Sequence, residues 1–190
     1  MPRAGLSPTA VVDAAVAILD EHGTDALTLA AVAARTGVAT PSLYKHVRGL
    51  QELRRLISTR VLDELADRCA EAAMGRSRDD AVAAVLDAYR GYALAHPNRY
   101  TALPQRPDPD PDVARAGDRA VAVFLAVLGG YGLGGSEAVH ATRAMRAAAH
   151  GFVALEIGGG FGLPEKLDES YQRLVDLLIA GLRAQLDAPA

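Results

Sequence analysis

Apolar residues recur at spacings of three and four along most of the chain, and each run stops at a glycine, a proline or a cluster of small polar residues. Residues 9–22 place Val12, Ala15, Val16 and Leu19 on one face, with Thr9 in a capping position and Gly23 where a helix ends. Leu29, Val32 and Ala33 form the inner face of a second, shorter helix, capped by Thr28 and stopped at Gly37, where only glycine turns left-handed without steric cost. Thr40 then reads as the cap of a third helix with Pro41 at its first position, where the missing N–H is no loss. That helix, predicted to reach Val47, turns Leu43 and Val47 inward and leaves Ser42, Tyr44, Lys45 and His46 outward. Gly49 breaks the pattern, and a longer helix follows from about residue 50 to 74, striped by Leu53, Leu56, Ile57, Val61, Leu62 and Leu65.

The second half is helical by the same criterion. Residues 75–80 form a charged, Ser/Gly-containing junction and the expected domain boundary. Residues 79–95 turn Val82, Val85, Leu86, Tyr89 and Ala93 inward, and His96-Pro97 stops them, because a residue before proline disfavours the helical region. Asn98 is the expected cap of a short turn reaching Leu103. The acidic, proline-rich run from Pro104 to Asp112 is a loop. Helices are predicted over 112–128, over 137–157 with Ser136 as cap, and over 166–186 with Tyr171, Leu174, Val175, Leu178, Ile179 and Leu182 inward. Nothing reads as a strand, so the expected fold class is all-α.

Composition narrows the setting. Of 190 residues half are hydrophobic and 23% charged, a balance that favours packed helices over disorder. No uninterrupted apolar run has the length of a membrane span, the first residues lack the apolar core of a signal peptide, and the single cysteine, Cys69, suits a reducing compartment. The expected location is cytoplasmic. Charge is unevenly placed: residues 1–60 hold seven Arg/Lys against five Asp/Glu, a balance of +2, whereas 61–190 hold thirteen against eighteen, a balance of −5. A mildly basic end on an acidic body suits a protein that meets phosphate with one end only.

Two short helices around a glycine turn, the second carrying an outward polar face, make a helix-turn-helix. The segment Gly37-Val38-Ala39-Thr40-Pro41-Ser42-Leu43-Tyr44-Lys45-His46-Val47 resembles the recognition element of the TetR family of transcriptional repressors, and the helix order over residues 9–60 is similar too. Further on, His150-Gly151-Phe152 followed by Gly158-Gly159-Gly160-Phe161-Gly162 resembles a subgroup with a His-Gly-Phe motif and a glycine-rich turn in its effector domain. The resemblance implies an N-terminal three-helix helix-turn-helix DNA-binding domain over 1–50, a linking helix to about 74, and a helical effector-binding and dimerisation domain over 75–190. It also implies a homodimer built through the last two helices on a near-palindromic operator, and a small-molecule effector.

A helix lying in the major groove reads base edges with its N-terminal residues and touches phosphate with its flanks. Thr40, Pro41, Ser42 and Lys45 are the expected base contacts, and Thr28, Tyr44, His46 and Arg48 the expected phosphate contacts. Ala30 and Leu50 stand where many members of the family carry polar or basic residues, so each half-site makes fewer contacts. Tyr89, Tyr92, His96, Tyr100, Phe124, Arg143 and His150 are candidates for an effector pocket, since such pockets are mostly apolar with a few placed polar groups. No Cys/His cluster has metal-ligand spacing, and neither glycine run is a Gly-x-Gly-x-x-Gly or a P-loop, so no metal, cofactor or catalytic site is expected. The overall reading is a ligand-responsive DNA-binding regulator. A helical adaptor that never touches DNA is the alternative, with an enzyme behind it.

Overall fold

The computed structural model describes residues 6–104, 106 and 108–186, with the side chain of Leu186 left aside. Its elements are α1 (Pro8–His22), a 3-10 turn (Thr24–Ala26), α2 (Leu29–Thr36), α3 (Thr40–Leu43), α4 (Leu50–Ala73), α5 (Arg78–Ala95), α6 (Pro97–Thr101), α7 (Pro111–Gly129), α8 (Gly135–Ile157) and α9 (Leu167–Leu186). No strand occurs among the described residues, and no helix there is long and apolar enough to cross a membrane. The all-α expectation holds.

Packing divides the chain into two compact units, Met1–Leu62 with His96–Ala116, and Asp63–Ala95 with Gly117–Ala190. The division by packing differs from the expected one near residue 75, because a later segment returns to the first unit. Three contacts bring it there. The Arg99 guanidinium grips the Asp20 carboxylate of α1 at 2.6–3.1 Å. The Asn98 side-chain amide donates to the Asp20 carbonyl, so Asn98 docks α6 on α1 instead of capping it, and His96 takes the N-cap position without a side-chain capping bond. Arg55 of α4 lies 3.3 Å from Asp108 and 4.0 Å from Asp110 in the acidic loop.

Local rules explain the first unit's helices, with two corrections. Ser7, not Thr9, caps α1: its Oγ accepts from the Ala10 N–H at 3.1 Å. Pro8 forces the residue before it into extended backbone, the geometry an N-cap needs, and Ser7 has φ −114° and ψ 159°. Thr28 caps α2 as expected, its Oγ1 accepting from the Ala31 N–H at 3.1 Å. Gly37 ends α2 at φ 70° and ψ 28°, and the Val38 N–H reaches back to the Ala33 carbonyl at 3.0 Å. Thr40 does not cap α3. Ala39 holds that position, its carbonyl accepting from the Ser42 N–H at 2.8 Å, which moves the helix start forward and puts Pro41 second. Regular helix stops at Leu43, and turn bonds from His46 and Val47 to the Leu43 carbonyl carry the chain onward. Val11, Leu19, Leu27, Val32, Leu43, Val47, Leu53 and Ile57 are buried and supply this unit's core.

In the second unit α5, α8 and α9 pack on one another. Val82, Val85 and Leu86 of α5, Met145 and Val153 of α8, and Tyr171, Val175 and Leu182 of α9 are buried. Gly134, not Ser136, stands at the N-cap of α8, in extended backbone and without a side-chain bond. On α7, Phe124 and Val127 are buried, and Val121, Val123 and Leu125 are half-buried. Arg90 of α5 forks onto Glu156 of α8 at 2.8 and 2.6 Å and reaches Asp168 of α9 at 2.7 Å, while its guanidinium lies 4.9 Å from the Tyr171 ring centre. Phe152 stacks between Phe161 and Tyr171 at 4.7 and 5.1 Å. After α8 the chain reverses at Gly159 (φ 67°), which brings the Gly160 N–H to the Leu155 carbonyl at 2.7 Å. A side chain on Gly160 would meet Leu155 at 2.9 Å. The His-Gly-Phe and glycine motif thus packs α8 against its neighbours.

Gly37→Ala should cost about 1–2 kcal/mol in denaturant unfolding, because a Cβ there meets nothing within 4 Å and the whole penalty is backbone conformation. Gly37→Asn should recover part of it. Glu156→Ala, which leaves Arg90 with only the exposed Asp168, should destabilise by roughly 3 kcal/mol, and Arg90→Met/Glu156→Leu should restore most of that loss. If the double variant is as unstable as the single one, the pair's electrostatics are not what the fold relies on.

Candidate nucleic-acid interface

Capping and glycine geometry leave α2 with a fixed end and α3 with a fixed start, so the side chains on and after α3 project from a rigid turn. Pro41, Tyr44, Lys45 and Arg48 are exposed, Tyr44 by 57% of its surface despite its large apolar ring. Thr40, Ser42 and His46 are half-buried beside them, while Leu43 and Val47 anchor the segment from below. Thr28 is exposed at the N-terminus of α2; its hydroxyl accepts from the Ala31 N–H and keeps its own proton to donate. All eight residues expected to meet DNA therefore belong to one unit, seven of them on and after α3 and Thr28 at the start of α2.

The cations around this face are mostly committed. Arg35 forks onto Glu21 at 2.7 and 2.5 Å, and its guanidinium holds the Glu21 carboxyl below its usual range. Arg60 pairs with Asp13 at 3.1 Å, and Arg55 with the acidic loop. Arg48 bonds the Glu52 carboxylate through its side chain at 3.1 and 3.2 Å and also through its backbone N–H, which lowers the Glu52 pKa. The Arg48 side chain is 90% exposed, and such a solvent-screened i,i+4 pair is weak enough to yield to a phosphate. Lys45 and Arg54 form no ion pair among the described residues. Arg54, exposed one turn into α4, did not stand out in the sequence, where the six other basic residues of 1–60 look alike.

The seven effector candidates separate. His96 and Tyr100 fall in the first unit, the other five in the second. Tyr89 and Phe124 are brought together, buried edge to face at 6.5 Å. The Tyr92 hydroxyl donates to Glu64 at 2.9 Å. Arg143 is exposed on α8, and His150 is half-buried, its pKa lowered first by desolvation and then by Arg146. A residue the pattern placed only in the core, Tyr171, donates to the Leu86 carbonyl at 2.7 Å. Separately, the ends of α4, α5 and α7 enclose a cavity of about 360 Å3, and none of the seven candidates lines it. Among the described residues no group of three or more His, Cys, Asp or Glu side chains is placed to hold a metal ion.

Comparison with known proteins agrees with this arrangement. Residues 11–55 match the family described as bacterial regulatory proteins, tetR family, and residues 82–178 match the tetracyclin repressor-like C-terminal domain. An uncharacterized HTH-type transcriptional regulator of Mycobacterium tuberculosis, Rv0681, is 42% identical over 158 residues, covering 82% of this chain and 72% of its own. The uncharacterized HTH-type transcriptional regulator YobS of Bacillus subtilis is 32% identical over 182 residues, 95% of each chain. Among solved structures, a TetR of Acinetobacter baumannii in complex with minocycline superposes with a TM-score of 0.75 at 21% identity, covering 97% of this chain and all of its own. With two short helices around a glycine turn, a helical second unit and these family matches, this chain is a member of the TetR family of DNA-binding transcriptional regulators, not an enzyme.

Proposed function

We propose that this regulator is a cytoplasmic repressor that holds a near-palindromic operator as a homodimer and releases it when a small molecule binds the second unit. The observation that carries the reading is the exposed face of Pro41, Tyr44 and Lys45, set on a buried anchor of Leu43 and Val47. An aromatic ring and a cation left in solvent on a rigid turn serve a ligand, not the fold. In this reading Lys45, Thr40 and Ser42 meet base edges, with Pro41 against a thymine methyl. Thr28, Tyr44, His46 and Arg48 meet phosphate, and Arg54 adds a further charge.

So few contacts give weak binding per half-site, which is why two copies are needed. The outward faces of α8 and α9 suit that role. Val139, Leu155 and Leu177 are exposed by 39%, 50% and 71%, and the small residues Ala147, Gly151 and Ala154 between them permit close approach of another helix. A four-helix contact there sets the two reading turns about 34–36 Å apart. The bound minocycline of the Acinetobacter protein supports a ligand-responsive second unit, and the His-Gly-Phe motif supports membership of the subgroup that carries it. An effector releases DNA only as far as it prefers the state with the wrong spacing.

The test is titration of duplex DNA from the promoter nearest the gene, at several salt concentrations. Lys45→Ala should weaken operator binding about tenfold or more and relax the preference for guanine at one position. Tyr44→Ala should weaken specific and nonspecific duplexes alike. Leu177→Glu should yield monomers by sedimentation and weaken operator binding more than either change. If the wild-type protein shows no salt-sensitive preference for any such duplex, the chain is a helical adaptor instead.

A further inference from the structure

The cavity at the ends of α4, α5 and α7 has walls of small side chains: Ala73 of α4, Ala81 of α5, Ala126 and Val127 of α7. Its volume of about 360 Å3 lies at the lower end of small-molecule sites, about 300–1,000 Å3. Apolar walls alone would name no occupant; the rim does. Arg76 and Ser77 stand on it, and Arg78 lies against Gly130, another lining residue, donating from Nε to the Gly130 carbonyl at 3.0 Å. Arg76 donates to the Ala72 carbonyl at 2.7 Å. Neither guanidinium forms an ion pair among the described residues.

No nearby acid pairs with Arg76. Asp79 is held by Arg183 and by the Tyr131 hydroxyl, which lower its pKa with a smaller electrostatic contribution from Arg78, and Asp80 lines a separate groove beside Arg183. A guanidinium without a carboxylate partner on the rim of an apolar hollow, with a second one beside it, matches an anion with an apolar body. We propose that this cavity binds a monocarboxylic acid with an aliphatic or aromatic tail, the carboxylate on Arg76 and Ser77 and the tail along the alanine walls. Charge-assisted bonds to guanidinium orient the head, and apolar area removed from water holds the tail. The assignment rests on the ligand-responsive reading above and gives that effector a chemical class and a place. It moves the site away from Tyr89, Tyr92, Phe124, Arg143 and His150, none of which lines the cavity.

Calorimetric titration of the full chain with octanoate, and with 1-octanol as the uncharged probe, tests it. Octanoate should bind saturably at one site per chain, with 1-octanol at least tenfold weaker. Arg76→Gln should weaken octanoate about tenfold and leave 1-octanol unchanged. Ala126→Leu, at an exposed position on the wall, should abolish both; if circular dichroism shows that variant misfolded, the Arg76→Gln comparison decides alone. Absence of saturable octanoate binding, or equal affinity in Arg76→Gln and wild type, overturns the proposal. Operator binding by the same samples keeps the two readings apart. Duplex binding without octanoate binding sinks the cavity and leaves the regulator, whereas octanoate binding without any duplex binding does the reverse. Octanoate that binds but leaves operator affinity unchanged overturns its role as effector.

Discussion

The structure depends most on one buried stripe along α4, where Leu53, Ile57, Val61, Leu65, Ala66 and Cys69 follow each other at helical spacing with almost no exposure. The first members belong to the core of the DNA-binding unit, the later ones to the core of the second. Burying these side chains removes apolar surface from water in each unit separately, Leu53, Ile57 and Val61 in the first and Leu65, Ala66 and Cys69 in the second. Burial also raises the Cys69 thiol to about 12, leaving it a packing group without nucleophilic character.

Charge is disposed of by a second constraint. The first unit has several arginines, yet Glu21, Asp13, Asp20, Asp108 and Asp110 each take one or share one. Some of these pairs hold elements together: Arg99 with Asp20 fastens α6 to α1, and Arg55 fastens the acidic loop to α4. The consequence is that, around α3, few described side chains carry positive charge outside an ion pair, Lys45 and Arg54 among them. The second unit sets one of its ionic clusters, the half-buried Arg90 and Glu156, beside aromatic rings, where it ties α5 to α8 and α9.

Much of this was legible in the residues. Helical spacing located the long helices to within a few positions, because a stripe of buried side chains imposes its period on the sequence. Thr28 and Gly37 announced α2, since a cap and a left-handed stop each need a particular residue type. Ser7 was missed because Thr9 is equally good chemically; the deciding factor is the effect of Pro8 on the residue before it. Thr40 failed as a cap for a related reason, the Ala39 carbonyl having closed the turn one residue earlier.

What the sequence by itself determined is the helical architecture, the reading turn and the family, because these follow from short-range rules: periodicity, caps, turn residues and motif spacing. Only the tertiary structure decided which charges are free, which aromatic groups meet, and which hollow is open. Those are long-range facts. Asp20 and Arg99 lie far apart in the chain yet share one set of hydrogen bonds, and Tyr89 finds Phe124 across helices. The alanines of α4, α5 and α7 look unremarkable one at a time, and a cavity exists only where three such faces converge. No local pattern encodes a convergence, so the reading turn was visible in the sequence and the pocket was not.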